Sequence, residues 1–220
     1  MELLDLVLPR RCAACGQVGS ELCAQCVRAL PRLPPPFCER CGAPTAWPVR
    51  RCAECSGRRL AFATARAAVI YDDRVRAVVR AWKEHGRRHL GAVAAELVTA
   101  AVGRPNVLAL AFVPPDADRL LRRGHHPAER LARELGRRWR LPVVHALARE
   151  EGRARQRGLS LAVRRRNVAG AFRPVLPVPP RVALVDDVYT SGATAAEAAS
   201  ALRKSGARRV HVVTFARAVR

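Results

Sequence analysis

Acidic residues are scarce in this sequence: 18 Asp and Glu stand against 40 Lys and Arg, for a formal net charge of +22. Lysine is scarcer still, with Lys83 and Lys204 the only two. Genomic bias can favour Arg over Lys, but it does not remove acids. A field this positive draws polyanions, nucleic acid first and phosphorylated small molecules next. Aromatic residues make up only 5% of the chain, which argues against a reader of specific bases, because base stacking needs rings. No apolar run approaches the ~18–20 residues that span a bilayer. Met1–Pro9 carries Glu2 and Asp5 and lacks a basic start or a cleavage site. That argues against a secretory signal and predicts a cytoplasmic protein. The helical spacing of Leu3, Leu4, Val7 and Leu8 predicts a short docked amphipathic helix instead.

Cysteine is absent after residue 55, and all eight Cys form four Cys-x-x-Cys pairs: Cys12/Cys15, Cys23/Cys26, Cys38/Cys41 and Cys52/Cys55. Each pair offers two thiolates to a tetrahedral zinc. Two pairs complete a closed, structural four-cysteine site with no position for water or substrate. A disulfide framework is the competing reading, but nothing points to export, and cytosolic thiols stay reduced. Sequential pairing of the knuckles gives a double zinc ribbon with two zinc ions; an interleaved arrangement stays open. Residues 1–60 form this head and hold nine Arg against five acids. Two zinc tetrathiolate centres at about −2 each cancel that excess. The main basic surface therefore belongs to residues 61–220, and the head reads as an adaptor or lid.

Those 160 residues alternate strand and helix signals, the pattern of an α/β fold. Strands are predicted around Ala67–Tyr71, Val107–Pro114, Val182–Val185 and Arg209–Ala216, with His211 on a strand face. Helices are predicted over Val75–Trp82, Leu90–Val102, Pro127–Trp139 and Thr194–Lys204. Lys83–His89 reads as a solvated basic turn, and His125 and His126 as a surface loop pair. The most specific stretch is Val182–Thr194, Val-Ala-Leu-Val-Asp-Asp-Val-Tyr-Thr-Ser-Gly-Ala-Thr. A buried strand ends in two carboxylates, and a hydroxyl-rich turn then opens a helix. Amides and hydroxyls at a helix N-terminus suit a phosphate, and carboxylates suit sugar hydroxyls, so the stretch reads as a sugar-phosphate site. The plain alternative is an Asp pair that only caps the turn.

This stretch resembles the phosphoribosyl-pyrophosphate (PRPP) motif of type I phosphoribosyltransferases. The resemblance implies that Asp186 and Asp187 hold the ribose hydroxyls, and that Thr190, Ser191, Gly192, Ala193 and Thr194 bind the 5′-phosphate. It also implies a pyrophosphate loop containing Arg119 and Arg123, and a mobile loop containing Gln156, Arg165, Arg166 and Asn167. Mg²⁺ would arrive with PRPP. The order of features is similar to that of the ComF family of competence-associated proteins. These features are the head with its two sets of four cysteines, the Arg-Gly turn, Gln156-Arg-Gly-Leu159-Ser160, Arg166-Asn167, Gly170-Ala171-Phe172 and the PRPP motif. One departure is Arg123-Gly124-His125-His126-Pro127, where that family has Arg-Gly-Phe-Asn-Gln. The resemblance implies a type I phosphoribosyltransferase-like domain, a mostly parallel sheet flanked by helices, behind a small double zinc ribbon. It further implies a role in DNA uptake through single-stranded DNA, with a competence helicase as partner. The alternative it leaves is a working Mg-dependent transferase on an unidentified acceptor, without a direct DNA role.

Overall fold

The computed structural model describes residues 9–116, 120–122, 124–150 and 170–219. Its elements begin with α1 (Ala24–Ala29), β1 (Thr64–Ile70), α2 (Asp73–Glu84), α3 (Leu90–Val102), β2 (Ala109–Phe112) and α4 (Pro127–Trp139). They continue with β3 (Val143–Val144), β4 (Leu147–Arg149), β5 (Phe172–Pro174), β6 (Arg181–Tyr189), α5 (Ala193–Lys204) and β7 (Arg209–Arg217). The helix expected within Met1–Pro9 falls almost wholly outside the described residues.

The non-alternating runs of β2, β6 and β7 make one parallel sheet with β1 and β3, in the order β1-β7-β6-β2-β3. A parallel strand is covered on both faces, so its neighbours in sequence are all apolar. β6 illustrates this: Ala183 and Val185 enter one core, while Val182 and Leu184 enter the other. The first core is filled by α2, α3 and α4, through side chains such as Trp82, Leu97, Leu131 and Trp139. The second is filled by α5, through Ala195, Ala198, Ala199 and Leu202. Small alanines let that helix lie close on the sheet.

Local chemistry sets the helix ends. Asp72 caps α2 by accepting from the Val75 amide at 2.8 Å. Pro127 opens α4, whose first turn suits a residue without an N–H. The strands run longer than the sequence predicts at two places. β1 starts at Thr64, and β6 continues through the acid pair to Tyr189, so Asp186 and Asp187 belong to the strand itself. An antiparallel hairpin of β4 and β5, which the sequence does not announce, forms a separate two-stranded sheet.

The cysteine-rich head is joined to the main sheet along its β1 edge. The Ile70 amide donates to the Pro31 carbonyl at 2.8 Å, the Ala65 amide donates to the Arg40 carbonyl at 2.9 Å, and Arg32 forms a backbone bridge with Val69. Unpaired strand edges invite association with other chains, and here the head occupies one. It also reaches around that edge. Cys12, Leu22, Cys26 and Leu30 pack into the first core, and Cys38, Cys41, Ala43, Cys55 and Leu60 into the second. Metal is therefore not the head's only support. The opposite edge, β3, is two residues long.

Gly42 sits at the tightest point of this seam. Its φ is +71°, and a Cβ there would collide with the Ala65 carbonyl oxygen. Replacing Gly42 with Ala is expected to cost about 2 kcal/mol, through left-handed strain and displacement of β1. For a chain of this size that lowers the unfolding midpoint by roughly 4–8 °C, read by circular dichroism. An unchanged midpoint would mean that the seam is loose.

Candidate functional site

The C-terminal ends of the sheet strands open into a cleft of about 280 Å³. Tyr71 follows β1, Lys83 comes from the last turn of α2, Pro114–Asp116 follow β2, and His126 precedes α4. Arg149 comes from the β4 hairpin, Asp186 and Asp187 from β6, and Thr190 and Thr194 from the turn into α5 and its first residues. Both acids and two hydroxyls of the sequence motif thus share one cavity, at the edge where open α/β sheets bind ligands.

The turn into α5 is shaped by Gly192, at φ +72°. A Cβ at that position would run into the Tyr189 hydroxyl, so only glycine fits. No side chain caps α5 at Gly192, and Ser191 Oγ accepts from the Ala193 amide at 3.4 Å. The remaining first-turn amides are the donors that an anion satisfies.

The acid pair is internally organised. The Asp187 amide donates to Asp186 Oδ1 at 2.9 Å, and Lys83 Nζ lies 2.6 Å from Asp187 Oδ1. Burial, with the Asp187 charge behind it, pushes the Asp186 carboxyl up to about 7, against the pull of Lys83. Asp186 keeps a partial opening to the cleft but is closely surrounded by protein. His126 is held the other way: burial lowers it to about 4, outweighing the attraction of Glu129. Its Nδ1 accepts from the Glu129 amide at 3.3 Å, which assigns the proton of the neutral ring to Nε2.

Two sequence expectations are corrected here. Lys83 is part of α2 and pairs with Asp187, so it is not a solvated turn residue; it reaches the cleft because Trp82 beside it anchors the helix in the core. His125 and His126 are not a surface pair either. His125 is 9% exposed with Nε2 2.7 Å from the Trp82 carbonyl, and the His126 side chain is also 9% exposed. Arg149, whose guanidinium lies over the Phe172 ring at 4.7 Å, is a further cleft residue without a sequence signal. Lys83 had one: it is one of two lysines in a chain whose other 38 cations are arginine. His211 lies on its strand, its Nδ1 hydrogen-bonded with Thr64 Oγ1 at 2.8 Å. The expected pyrophosphate-loop residues Arg119 and Arg123 lie outside the described residues, as do Gln156, Arg165, Arg166 and Asn167.

The cysteines form two tetrads in sequential pairing, Cys12–Cys15–Cys23–Cys26 and Cys38–Cys41–Cys52–Cys55, with all sulfurs of each within 4.8 Å of one another. Zinc with sulfurs at about 2.3 Å requires tetrahedral S–S edges of about 3.8 Å. The Cys15–Cys23 edge is 3.8 Å, Cys38–Cys55 is 3.6 Å, Cys41–Cys52 is 3.5 Å and Cys52–Cys55 is 4.0 Å. Amides supply the sulfur-facing donors a thiolate centre needs: Cys23 N–H to Cys12 Sγ at 3.4 Å and Cys52 N–H to Cys38 Sγ at 3.3 Å. The donor sets fit zinc, which would act there only as a structural clamp.

One buried side chain connects the second tetrad to the cleft. Arg217, 1% exposed at the end of β7, donates to the Cys41 carbonyl at 2.6 Å and pairs with Glu54 at 2.7 Å. Its Nη2 lies 3.7 Å from Cys41 Sγ. The guanidinium carbon stands 4.7 Å from the centre of the Tyr189 ring, the ring that fills the space under Gly192.

Known proteins resemble this chain in its head and along most of its length. The double zinc ribbon domain family matches residues 3–56. The DNA utilization protein YhgH of Salmonella typhimurium is 32% identical over 203 residues, covering 87% of this chain and 88% of its own. The Competence protein F of Haemophilus influenzae is 29% identical over 209 residues, 90% of each chain. Among solved structures, a purine phosphoribosyltransferase from Pyrococcus horikoshii Ot3 overlaps 62% of this chain and 84% of its own at 20% identity. The TM-score of that overlap is 0.29.

Two outcomes follow from the site. An acid whose folded pKa is raised costs stability as pH climbs from about 4 to about 7, and the cost is constant above. Asp186→Asn is therefore expected to stabilise the protein by on the order of 3 kcal/mol at pH 8 and by little at pH 4. Denaturant titrations at both pH values check this, and an equal gain at pH 4 would contradict it. Arg217→Met is expected to destabilise by about 3 kcal/mol, because Glu54 and the Cys41 carbonyl lose a buried partner. Adding Glu54→Gln is expected to recover part of that loss in a double-mutant cycle.

Proposed function

We propose, since this chain belongs to the ComF family, the family of Competence protein F, that it binds PRPP or a similar sugar phosphate and handles single-stranded DNA during DNA uptake. The observation that carries the ligand is the shared cleft of the two β6 carboxylates and the uncapped N-terminus of α5. Asp186 and Asp187 would accept from the ribose 2′- and 3′-hydroxyls. Thr190, Ser191, Gly192, Ala193 and Thr194 would enclose the 5′-phosphate with hydroxyls and amides. Lys83 would leave Asp187 or bridge to the ligand, and Arg149 would meet a second anionic group from the hairpin side. Arg119 and Arg123 would meet the diphosphate, with Gln156, Arg165, Arg166 and Asn167 closing over it. Mg²⁺ accompanying PRPP would neutralise part of the diphosphate charge.

The DNA role is supported by the net charge of +22 and by relatives named for DNA utilization and competence. In this reading residues 61–220 supply the charge and residues 1–60 the adaptor, with a competence helicase as the matching partner. No helix among the described residues is long and apolar enough to cross a membrane.

A second reading is favoured by the completeness of the cleft, which holds both acids, a cation on one of them and a neutral imidazole. Here the protein is an active transferase: an acceptor nucleophile bonds to the anomeric carbon of PRPP as the carbon–oxygen bond to pyrophosphate breaks. The two readings separate by calorimetric titration of zinc-loaded protein with PRPP and Mg²⁺, first alone and then at saturating single-stranded DNA. The Asp186→Asn/Asp187→Asn double variant is expected to lose PRPP binding while keeping DNA affinity within about twofold, since phosphate contacts on the basic surface carry that term. PRPP binding that survives the double variant would overturn the site assignment. Wild-type protein without affinity for single-stranded DNA would favour the transferase.

A further inference from the structure

Aromatic side chains are rare in this protein, and their distribution is lopsided. There are ten: three Trp, two Tyr and five Phe. Nine are buried or partly buried, among them Trp82 at 0% and Trp139 at 4% exposure. Trp47 alone is open to solvent, with 69% of its surface exposed. A single exposed apolar side chain is ordinary in itself. Its setting distinguishes this one.

The backbone around Trp47 is tied down. Its carbonyl accepts from Thr45 Oγ1 at 2.8 Å, and the Thr45 amide donates to the Pro36 carbonyl at 2.9 Å. Phe37 forms a backbone bridge with Pro44, and Glu39 N–H donates to the Val49 carbonyl at 2.9 Å, so both arms of the loop are tied to the segment around Cys38. Pro48 restricts the backbone of Trp47 further. The loop therefore holds the Trp47 backbone beside the second cysteine tetrad, so that little backbone ordering is left to a ligand. Arg50, Arg51 and Arg59 on the same knuckle are exposed. Residues 36–60 hold only two acids, Glu39 and the Glu54 that Arg217 engages. The net field of the whole chain is strongly positive.

We infer that Trp47 is a stacking platform for an unpaired base of single-stranded DNA. Stacking on an aromatic face is tolerant of sequence, because every base has a π-face. The head then contributes a contact to bases, while the arginine-rich α/β unit contributes contacts to phosphates. This inference rests on the single-stranded DNA reading given above and locates one point of contact.

The test uses the full zinc-loaded chain and an oligothymidylate of roughly 15 nucleotides. Since Trp82 and Trp139 are buried, quenching of the tryptophan emission by the oligonucleotide reports on Trp47. Trp47→Ala is expected to abolish the quenching and weaken binding by about tenfold, with zinc content and the salt dependence of binding unchanged. Trp47→Phe is expected to restore most of the affinity. On an abasic oligomer of the same length, wild type and Trp47→Ala are expected to bind alike. If Trp47→Ala binds oligothymidylate as tightly as wild type, the inference fails and the DNA reading stands. An equal loss on the abasic oligomer also overturns it, because Trp47 would then be supporting structure or meeting a backbone. If wild type binds neither oligomer, the DNA reading fails together with the inference, and a protein partner becomes the occupant to seek.

Discussion

A buried guanidinium holds the pieces of this protein in register. Arg217 leaves the end of β7 and meets, within one side chain, the Cys41 carbonyl, the edge of the second sulfur tetrad, the Glu54 carboxylate and the face of Tyr189. Taking a charge out of water is costly unless it is paired, and the partners of its two Nη atoms come from separate segments of the chain, while Nε is buried without one. The docked knuckle supplies partners to Arg217, and the guanidinium in turn faces the Tyr189 ring that lies beneath Gly192. One side chain thus links the turn that opens α5 to a cysteine far away in sequence.

The same logic explains why the head is fused to the sheet and does not hang from it. A five-stranded parallel sheet has two edges, and β1 is the longer one. The head supplies amide and carbonyl partners along β1 and sends one tetrad to each face. Metal-binding energy at such sites is folding energy, and here it also covers the flank of the α/β unit. Loss of zinc would reach both cores.

Charge is arranged in opposition across the molecule. The chain is rich in arginine, while in the cleft burial, with the Asp187 charge beside it, pushes the Asp186 carboxyl up to about 7. Paired carboxylates in a desolvated pocket are unfavourable to the free protein and favourable to a ligand that brings hydroxyls, cations or both. A ligand of that kind would offset the cost of keeping the two acids together. Lys83 moderates the conflict at Asp187, and His126 stays neutral because burial there outweighs the nearby acid.

Much of this was readable from the chain alone, where short-range rules apply. Cys-x-x-Cys spacing names a tetrahedral metal knuckle because two thiolates three residues apart close on one ion. An unbroken apolar run before two Asp and a small-residue turn names a buried strand, an acid pair and a helix start, and β6 and α5 lie there. Helices α3 and α4 begin and end where periodicity and Pro127 place them. Tertiary structure decided what depends on distant partners. It chose sequential pairing of the cysteines, brought Lys83 and Arg149 to the acids, buried His125 and His126, and turned a strand-terminal Arg217 into the central tie. None of these follows from local pattern, because burial and pKa are set by atoms that arrive from elsewhere in the chain. The sequence by itself determined the four long helices, the main strands β1, β2, β6 and β7, the metal chemistry and the sign of the net charge. Only the packed sheet, by placing both cores and one edge against the head, determined which side chains face the cleft and what protons they hold.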